Sequence, residues 1–221
     1  MRTAIFDLDG TLADTSGDLI ASANSCFRGL GYGDILDPVR DASTAFQGGR
    51  AMLKLGFERV KPGFTAQDID VQYPLLLEAY AADIDVYTVL YPGAIEAIEG
   101  LKSDGYALGV CTNKPAGLAE SLLHKLGIRG LFASMIGADT LPVRKPDPAP
   151  FFAAVEGAGG NPARAFLLGD TITDRKTAAA AGVPCALVTF GPDGRQVADL
   201  KPEALLDHFS DLGALAERLT Q

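Results

Sequence analysis

Two aspartates follow the first apolar run of the chain and are separated by one residue. Asp7 and Asp9 come directly after residues 3–6, which read as a buried strand, and Gly10 ends that run. Carboxylates held this close repel each other unless a cation or a shared proton relieves the repulsion. A solvated turn with two acids is the alternative interpretation. The end of a buried strand favours a functional site, because ligands bind at that edge of open α/β sheets.

Two later apolar runs also end in polar residues. Thr112 and Asn113 follow residues 107–111, and Asp170 follows residues 165–168, with Asp174 one helical turn further on. Parallel strands would bring these ends to the same rim as the first strand. Taken singly, Thr112, Asn113 and Asp174 could cap helices, and Asp170 could be an acid that interacts with a helix dipole.

A basic loop lies between those two runs. Lys145 is flanked by Arg144 and by Pro146, Asp147 and Pro148, and we expect the two prolines to hold the loop extended. A lone loop lysine is usually solvated, which is the alternative here. The arrival of all four segments at one sheet edge favours a shared site over four separate structural roles.

The chemistry that these side chains can perform together is phosphoryl transfer. Asp7 can attack phosphorus and form an aspartyl-phosphate, and Asp9 can protonate the departing alkoxide and later accept a proton from water. Thr112 and Asn113 can hold phosphate oxygens, while Lys145 neutralises the charge that develops on them.

The same carboxylates form a set of hard oxygen ligands. Asp7 and Asp170, with a backbone carbonyl, phosphate and waters, suit a small divalent cation. Few protein ligands and several waters favour Mg²⁺ over Ca²⁺.

The rhythm of strands and helices predicts how these residues are positioned. From residue 92 onward strands alternate with helices, which predicts a parallel sheet with helices on both faces. We expect strands near residues 3–6, 107–111, 132–136, 165–168, 185–189 and 205–206. We expect helices near residues 94–102, 115–126, 147–158, 174–181 and 211–219. The block from about residue 18 to residue 85 lacks strand alternation and reads as helices, the last of which Pro74 should kink or restart.

Four ordered motifs resemble those of the haloacid dehalogenase superfamily, and within it those of the phosphoglycolate phosphatases. The residues that carry the resemblance are Asp7-Leu8-Asp9-Gly10-Thr11, Thr112-Asn113-Lys114, Lys145-Pro146-Asp147-Pro148, and Gly169-Asp170 with Asp174. Arg175, after Asp174, departs from the apolar residue that is usual there.

The resemblance implies a fold, a cofactor and a set of roles. It implies a Rossmann-like α/β core at residues 1–14 and 86–221, with an inserted helical cap at residues 15–85. It also implies Mg²⁺ dependence, with the backbone carbonyl of Asp9 as the third protein ligand beside Asp7 and Asp170. Gly10 is expected at the phosphate and Asp174 next to the metal ligands. A small phosphorylated metabolite, with 2-phosphoglycolate as the best single candidate, is the implied substrate.

The expected cap contains one unusual stretch. Gly48 and Gly49 precede Arg50, and paired glycines let backbone approach a ligand closely. Arg50 could bind a substrate carboxylate through two parallel hydrogen bonds. A surface arginine at the start of a helix is the alternative.

Two other functions remain open at this point. A sugar-phosphate mutase similar to β-phosphoglucomutase could use the same scaffold, and a non-catalytic module could bind a phosphorylated metabolite. A dehalogenase is disfavoured, because carbon–halide displacement needs neither the acid at Asp9 nor a Mg²⁺ site.

Charge and cysteine content limit the partners. The formal net charge of -9 opposes binding to nucleic acid or to an anionic membrane. Cys111 and Cys185 lie in strand-like runs and Cys26 lacks a metal-type spacing, so we expect buried free thiols and a reducing cytoplasm. We expect no signal peptide and a monomer or homodimer.

Overall fold

A six-stranded parallel sheet forms the centre of the larger of two compact units. The computed structural model describes residues 1–221 and divides into Met1–Ala13 with Leu90–Gln221, and Asp14–Val89. The smaller unit spans nearly the same residues as the helical cap at 15–85 that the resemblance implies, and its role as a cap stays a prediction. No helix combines the length and the apolar composition that a bilayer span requires.

The central sheet places the first strand between two later ones. The strands are β1 (Thr3–Phe6), β2 (Ala13–Asp14), β3 (Val89–Leu90), β4 (Ala107–Cys111), β5 (Ser134–Ile136), β6 (Ala165–Gly169), β7 (Cys185–Val188) and β8 (Ala204–Leu206). The sheet order is β5-β4-β1-β6-β7-β8, and β2 pairs with β3 in a separate two-stranded sheet. All neighbours in the large sheet run parallel. The predicted α/β architecture is confirmed.

The strands form where the sequence has continuous apolar runs. Every residue of β1, β4, β6 and β7 is buried. Burial on both faces removes the need for alternation between apolar and polar residues, as is usual in parallel sheets. Cys111 and Cys185 lie in these strands, and all three cysteines are buried free thiols, as predicted.

Helices connect the strands of the larger unit at nearly the predicted positions. They are α5 (Ala94–Ser103), α6 (Ala116–Lys125), α7 (Ala149–Gly157), α8 (Ile172–Ala181) and α9 (Leu212–Leu219), numbered after the four helices of the smaller unit. Gly182 ends α8 in the left-handed conformation, at φ 68°. Glycine is favoured at this position, because a residue with a Cβ atom would be strained in the left-handed conformation.

Four helices make up most of the smaller unit. Its helices are α1 (Ser16–Gly29), α2 (Ala42–Ala45), α3 (Gly49–Val60) and α4 (Ala66–Ala82). Pro74 lies inside α4 without dividing it, so a restart of the helix is excluded and a kink at Pro74 stays a prediction. Both Pro74 and Asp70 are exposed, so the carbonyl that loses its partner one turn earlier can bind water.

Packing between α1 and α3 depends on a close approach. A Cβ on Gly56 would lie 2.1 Å from the Phe27 ring, and the Phe27 and Phe57 rings pack edge to face with centroids 5.2 Å apart. Phe57 and Phe64 stack at 5.8 Å. These rings fill the interior of the smaller unit.

Asp18, in α1, forms hydrogen bonds with the last residues of the smaller unit. Its carboxylate accepts hydrogen bonds from the backbone N–H of Tyr87 at 3.0 Å, from the N–H of Thr88 at 2.8 Å and from the Thr88 hydroxyl at 2.7 Å. Asp18 and Thr88 are buried, so water cannot readily replace the bonds between them. The carboxylate therefore ties the first helix of this unit to the segment where its chain ends.

We expect Asp18→Ala to destabilise the smaller unit by about 2 kcal/mol, because the buried N–H of Thr88 would be left unpaired. Urea unfolding gives the free energy, and hydrogen exchange should accelerate at the amides of Tyr87 and Thr88. Glu78→Gln, an exposed change on α4, is the control and should alter neither quantity. Unchanged exchange at both amides in Asp18→Ala would contradict the prediction.

Candidate active site

The carboxyl ends of three adjacent strands bring the predicted polar residues together. In the sheet register Phe6 is paired with Val110 on one side and with Leu168 on the other. The residues that follow each strand therefore leave the sheet at the same level. Asp7, Thr112 and Asp170 occupy this edge, as the strand pattern predicts.

Lys145 lies between two carboxylates. Its Nζ is 2.9 Å from Oδ2 of Asp7 and 2.7 Å from Oδ1 of Asp174, and only 2 % of its side chain is exposed. The two acids hold the pKa of Lys145 above its usual value, although burial alone would lower it. The interpretation of Lys145 as a solvated loop lysine is excluded.

The loop that carries Lys145 is turned, so the expectation of an extended loop is wrong. The N–H of Asp147 donates to the carbonyl of Arg144 at 2.9 Å, which closes a turn around Lys145 and Pro146. The side-chain amide of Asn113 donates to the Lys145 carbonyl at 3.0 Å. This turn directs the lysine back toward the sheet edge.

Asp7 is held at both oxygens. Oδ1 accepts a hydrogen bond from the N–H of Leu8 at 2.7 Å, and Oδ2 faces Lys145. Burial raises the pKa of Asp7 to about 6, against the lowering effect of Lys145. The carboxylate is thus oriented, and its negative charge is incompletely compensated by the protein.

The two carboxylate oxygens of Asp174 have different partners, since Oδ1 contacts Lys145 and Oδ2 contacts Thr171. Oδ2 accepts from the N–H and the hydroxyl of Thr171 at 3.1 and 2.8 Å, which forms a capping box at the start of α8. Burial would raise the pKa of Asp174, but Lys145 and these hydrogen bonds outweigh burial and lower it. A Cβ on Gly169 would lie 2.3 Å from Cγ of Asp174, so this arrangement requires a glycine there.

Asp170 is buried beside these groups with a single hydrogen bond to its carboxylate. The hydroxyl of Thr11 donates to Oδ1 at 3.1 Å. Burial, together with the charges of Asp174 and Asp7, raises the pKa of Asp170 well above its usual value. An added positive charge would stabilise the ionised form of this side chain.

The acidic cluster fits a divalent cation. Carboxylate oxygens of Asp7, Asp170 and Asp174 lie within 4.8 Å of one another. When all three carboxylates are ionised, the ammonium of Lys145 balances only one of their charges in this buried space, and a cation would balance the other two. The oxygen donors are those that hard cations prefer. Asp7 and Asp174 both contact Lys145, so the contacts do not single out two of the three carboxylates, and binding of the ion by Asp7 and Asp170 stays a prediction.

The predicted phosphate-binding residues surround the same edge. Thr112 is buried, and its hydroxyl accepts from the N–H of Lys114 at 3.2 Å. The first turn of α6 is capped by Asp139, whose carboxylate accepts from the N–H of Ala116 at 2.7 Å, rather than by Thr112 or Asn113. Helix capping therefore does not account for these two residues, and phosphate binding by them stays a prediction.

Gly10 shapes the loop after β1. It adopts φ 76°, which favours glycine, and its N–H donates to the Ala13 carbonyl at 2.9 Å. The loop folds back so that Asp9 forms a bridge with Ala13. Contact between Gly10 and phosphate stays a prediction.

Lys114 contacts Asp9, although no role was predicted for this lysine. The two side chains meet at 2.7 Å between Nζ and Oδ1, with 3 % of Lys114 and 18 % of Asp9 exposed. The available signal was the position of Lys114 within a polar segment that directly follows a buried strand.

Two arginines outside the cluster have partners within their own units. Arg50 donates to Oδ1 of Asp70 at 2.6 Å, and its guanidinium lies 4.7 Å from the centroid of the Tyr73 ring. Arg175 lies 3.2 Å from Oε1 of Glu203, so it belongs to the surface of α8. Binding of a substrate carboxylate by Arg50 stays a prediction.

The sequence of this chain matches a known family of enzymes. A family model described as haloacid dehalogenase-like hydrolase matches residues 4–188. The chain therefore belongs to the haloacid dehalogenase-like hydrolases.

Similar proteins narrow the class further. A phosphoglycolate phosphatase of Agrobacterium fabrum is 38% identical over 98% of this chain and 93% of its own length. One of Mesorhizobium japonicum is 37% identical over 97% and 95%. The crystal structure of a predicted phosphoglycolate phosphatase from Haemophilus somnus superposes with a TM-score of 0.85, at 28% identity and 97% coverage of both chains. The chain is a phosphoric monoester hydrolase, similar to these phosphatases.

Proposed function

We propose that this protein is a Mg²⁺-dependent phosphatase of 2-phosphoglycolate that works through an aspartyl-phosphate at Asp7. The observation that carries the proposal is the buried cluster in which Lys145 bridges Asp7 and Asp174 while Asp170 lies close by. Full-length similarity to phosphoglycolate phosphatases supports the choice of substrate.

The geometry supports a two-step transfer. Asp7 attacks phosphorus with a carboxylate oxygen, and Asp9 gives its proton to the leaving alkoxide. Water then attacks phosphorus, Asp9 accepts the proton of that water, and the bond from Asp7 to phosphorus breaks. Lys145 keeps Asp7 oriented and opposes the negative charge that accumulates.

Asp7, Asp170 and the backbone carbonyl of Asp9 would hold Mg²⁺. The ion supplies charge neutralisation for the phosphate and for the carboxylate that attacks it. The raised pKa of Asp7 and of Asp170 is consistent with this assignment, because both carboxylates lack a full complement of positive charge.

Chelation and a metabolite panel test the proposal. We expect phosphate release from 2-phosphoglycolate to exceed release from other phosphorylated metabolites, to stop with EDTA and to return with Mg²⁺. Activity that persists after exhaustive chelation would contradict the metal assignment. A clear preference for another ester would contradict the substrate, and an isomerised sugar phosphate in place of free phosphate would indicate a mutase. A protein that binds these esters and releases nothing would be a binding module.

Arg50→Ala tests substrate selection by the smaller unit. We expect kcat/KM for 2-phosphoglycolate to fall by roughly 10- to 100-fold, which corresponds to a charge-assisted hydrogen bond, while p-nitrophenyl phosphate is little affected. Arg40→Ala, at an exposed arginine of the same unit, is the matched control. Equal losses on both esters, or no loss, would contradict a role in carboxylate recognition.

A further inference from the structure

The site contains two buried lysines, and each contacts a different aspartate of the loop after β1. Lys145 contacts Asp7, and Lys114 contacts Asp9 at 2.7 Å. The side chains of Lys114 and Lys145 are 3 % and 2 % exposed. A buried ammonium is stable only with a partner, so each contact is a constraint on both residues that form it.

The backbone of Lys114 is fixed on both sides. Its N–H donates to the Thr112 hydroxyl at 3.2 Å, and its carbonyl accepts from the N–H of Ala138 at 2.9 Å. The side chain of Lys114 therefore extends from a backbone position that is hydrogen-bonded on both sides. A long side chain anchored in this way can hold its partner in one orientation.

Asp9 is fixed by its loop but retains access to solvent. Its backbone forms a bridge with Ala13, next to the turn at Gly10. Its side chain is 18 % exposed, more than that of Asp7 at 12 % and Asp174 at 0 %. The contact with Lys114 at Oδ1 thus restrains the loop carboxylate that is most accessible for exchanging a proton.

We propose that Lys114 is a positioning residue, which holds the Asp9 carboxyl in the orientation needed for proton transfer. The inference rests on the proposed function, in which Asp9 is the acid and base. In the first step the oxygen–phosphorus bond of the ester breaks, the bond from Asp7 to phosphorus forms, and the proton of Asp9 moves to the leaving oxygen. Lys114 exchanges no proton and contacts no reacting atom in this scheme.

The dependence on the leaving group distinguishes positioning from a general structural role. An alkoxide needs a proton as it leaves, whereas a p-nitrophenolate leaves without one. The quantity to measure is kcat/KM, because it reports the transfer to Asp7 and excludes the later hydrolysis. In Lys114→Met we expect a loss of roughly 100-fold on 2-phosphoglycolate, in the range of general acid catalysis, and less than about tenfold on p-nitrophenyl phosphate.

A double-mutant cycle with Asp9→Asn completes the test. If Lys114 acts through Asp9, Lys114→Met should add nothing to the loss that Asp9→Asn already causes. The double variant leaves neither charge without its partner, so this comparison remains available if Lys114→Met alone folds poorly. Lys102→Met, at an exposed lysine of the same unit, is the control and should have full activity on both esters.

The outcomes separate this inference from the proposed function. Equal losses on the two esters in Lys114→Met, or additive losses in the double variant, would overturn the positioning role. Activity that survives Asp7→Asn would overturn the proposed function itself. A loss confined to the alkyl ester that disappears in the Asp9→Asn background would establish the role of Lys114.

Discussion

Asp7→Asn is expected to lower phosphatase activity by about 10⁴-fold or more, because the amide cannot form the phosphoenzyme. Asparagine keeps the size of the side chain and can still accept the hydrogen bond from the N–H of Leu8. Burial already raises the pKa of Asp7 to about 6, so loss of this charge should not destabilise the fold. Asp174 continues to pair with Lys145 at 2.7 Å.

Phosphate release and trapping of the intermediate are the measurements. Asp7→Asn should show no labelled phosphoenzyme after acid quench and no covalent-like complex with beryllium fluoride. Asp104→Asn, an exposed change in the same unit, should behave as the unsubstituted protein does. Substantial turnover by Asp7→Asn, or a fluoride complex on another side chain, would show that position 7 is not the nucleophile.

Lys145→Met is expected to reduce both stability and activity. It leaves the buried carboxylates of Asp7 and Asp174 without the ammonium that contacts them. Removal of one partner from a buried ion pair costs about 3–5 kcal/mol. Loss of one charge that stabilises a transition state lowers kcat by roughly 10²–10³-fold.

A second variant separates the two effects. Asp174→Asn combined with Lys145→Met removes one of the uncompensated charges, so it should recover part of the free energy of unfolding without recovering kcat. Urea unfolding and steady-state kinetics measure these quantities, with Lys176→Met on the exposed face of α8 as the control. Full kcat in Lys145→Met would contradict the catalytic assignment, and an unchanged unfolding midpoint would contradict the structural one.

The sheet could be predicted because its signals are local. Continuous apolar runs mark β1, β4, β6 and β7, and each is followed by a polar residue that marks its end. Once these strands are taken as parallel, the convergence of Asp7, Thr112 and Asp170 follows from geometry alone. The edge of the sheet that carries the candidate site could therefore be predicted from the spacing and the types of these residues.

Other features depend on contacts that spacing does not encode. The choice of Asp9 as partner for Lys114 joins residues far apart in the chain and is decided by packing. The turn around Lys145 depends on a local hydrogen bond between Asp147 and Arg144. Continuity of α4 through Pro74 is compatible with the exposure of Asp70 and Pro74, which a propensity argument does not include.

The carboxylate of Asp174 belongs to two structures at once. The same side chain starts α8 through its capping box with Thr171 and holds the Lys145 ammonium. Fraying of the first turn of that helix would therefore take away one of the two carboxylates that hold the lysine, and departure of the lysine would leave the helix start with an uncompensated acid. The stability of the first turn of α8 and the position of the Lys145 ammonium are in this way coupled through one side chain.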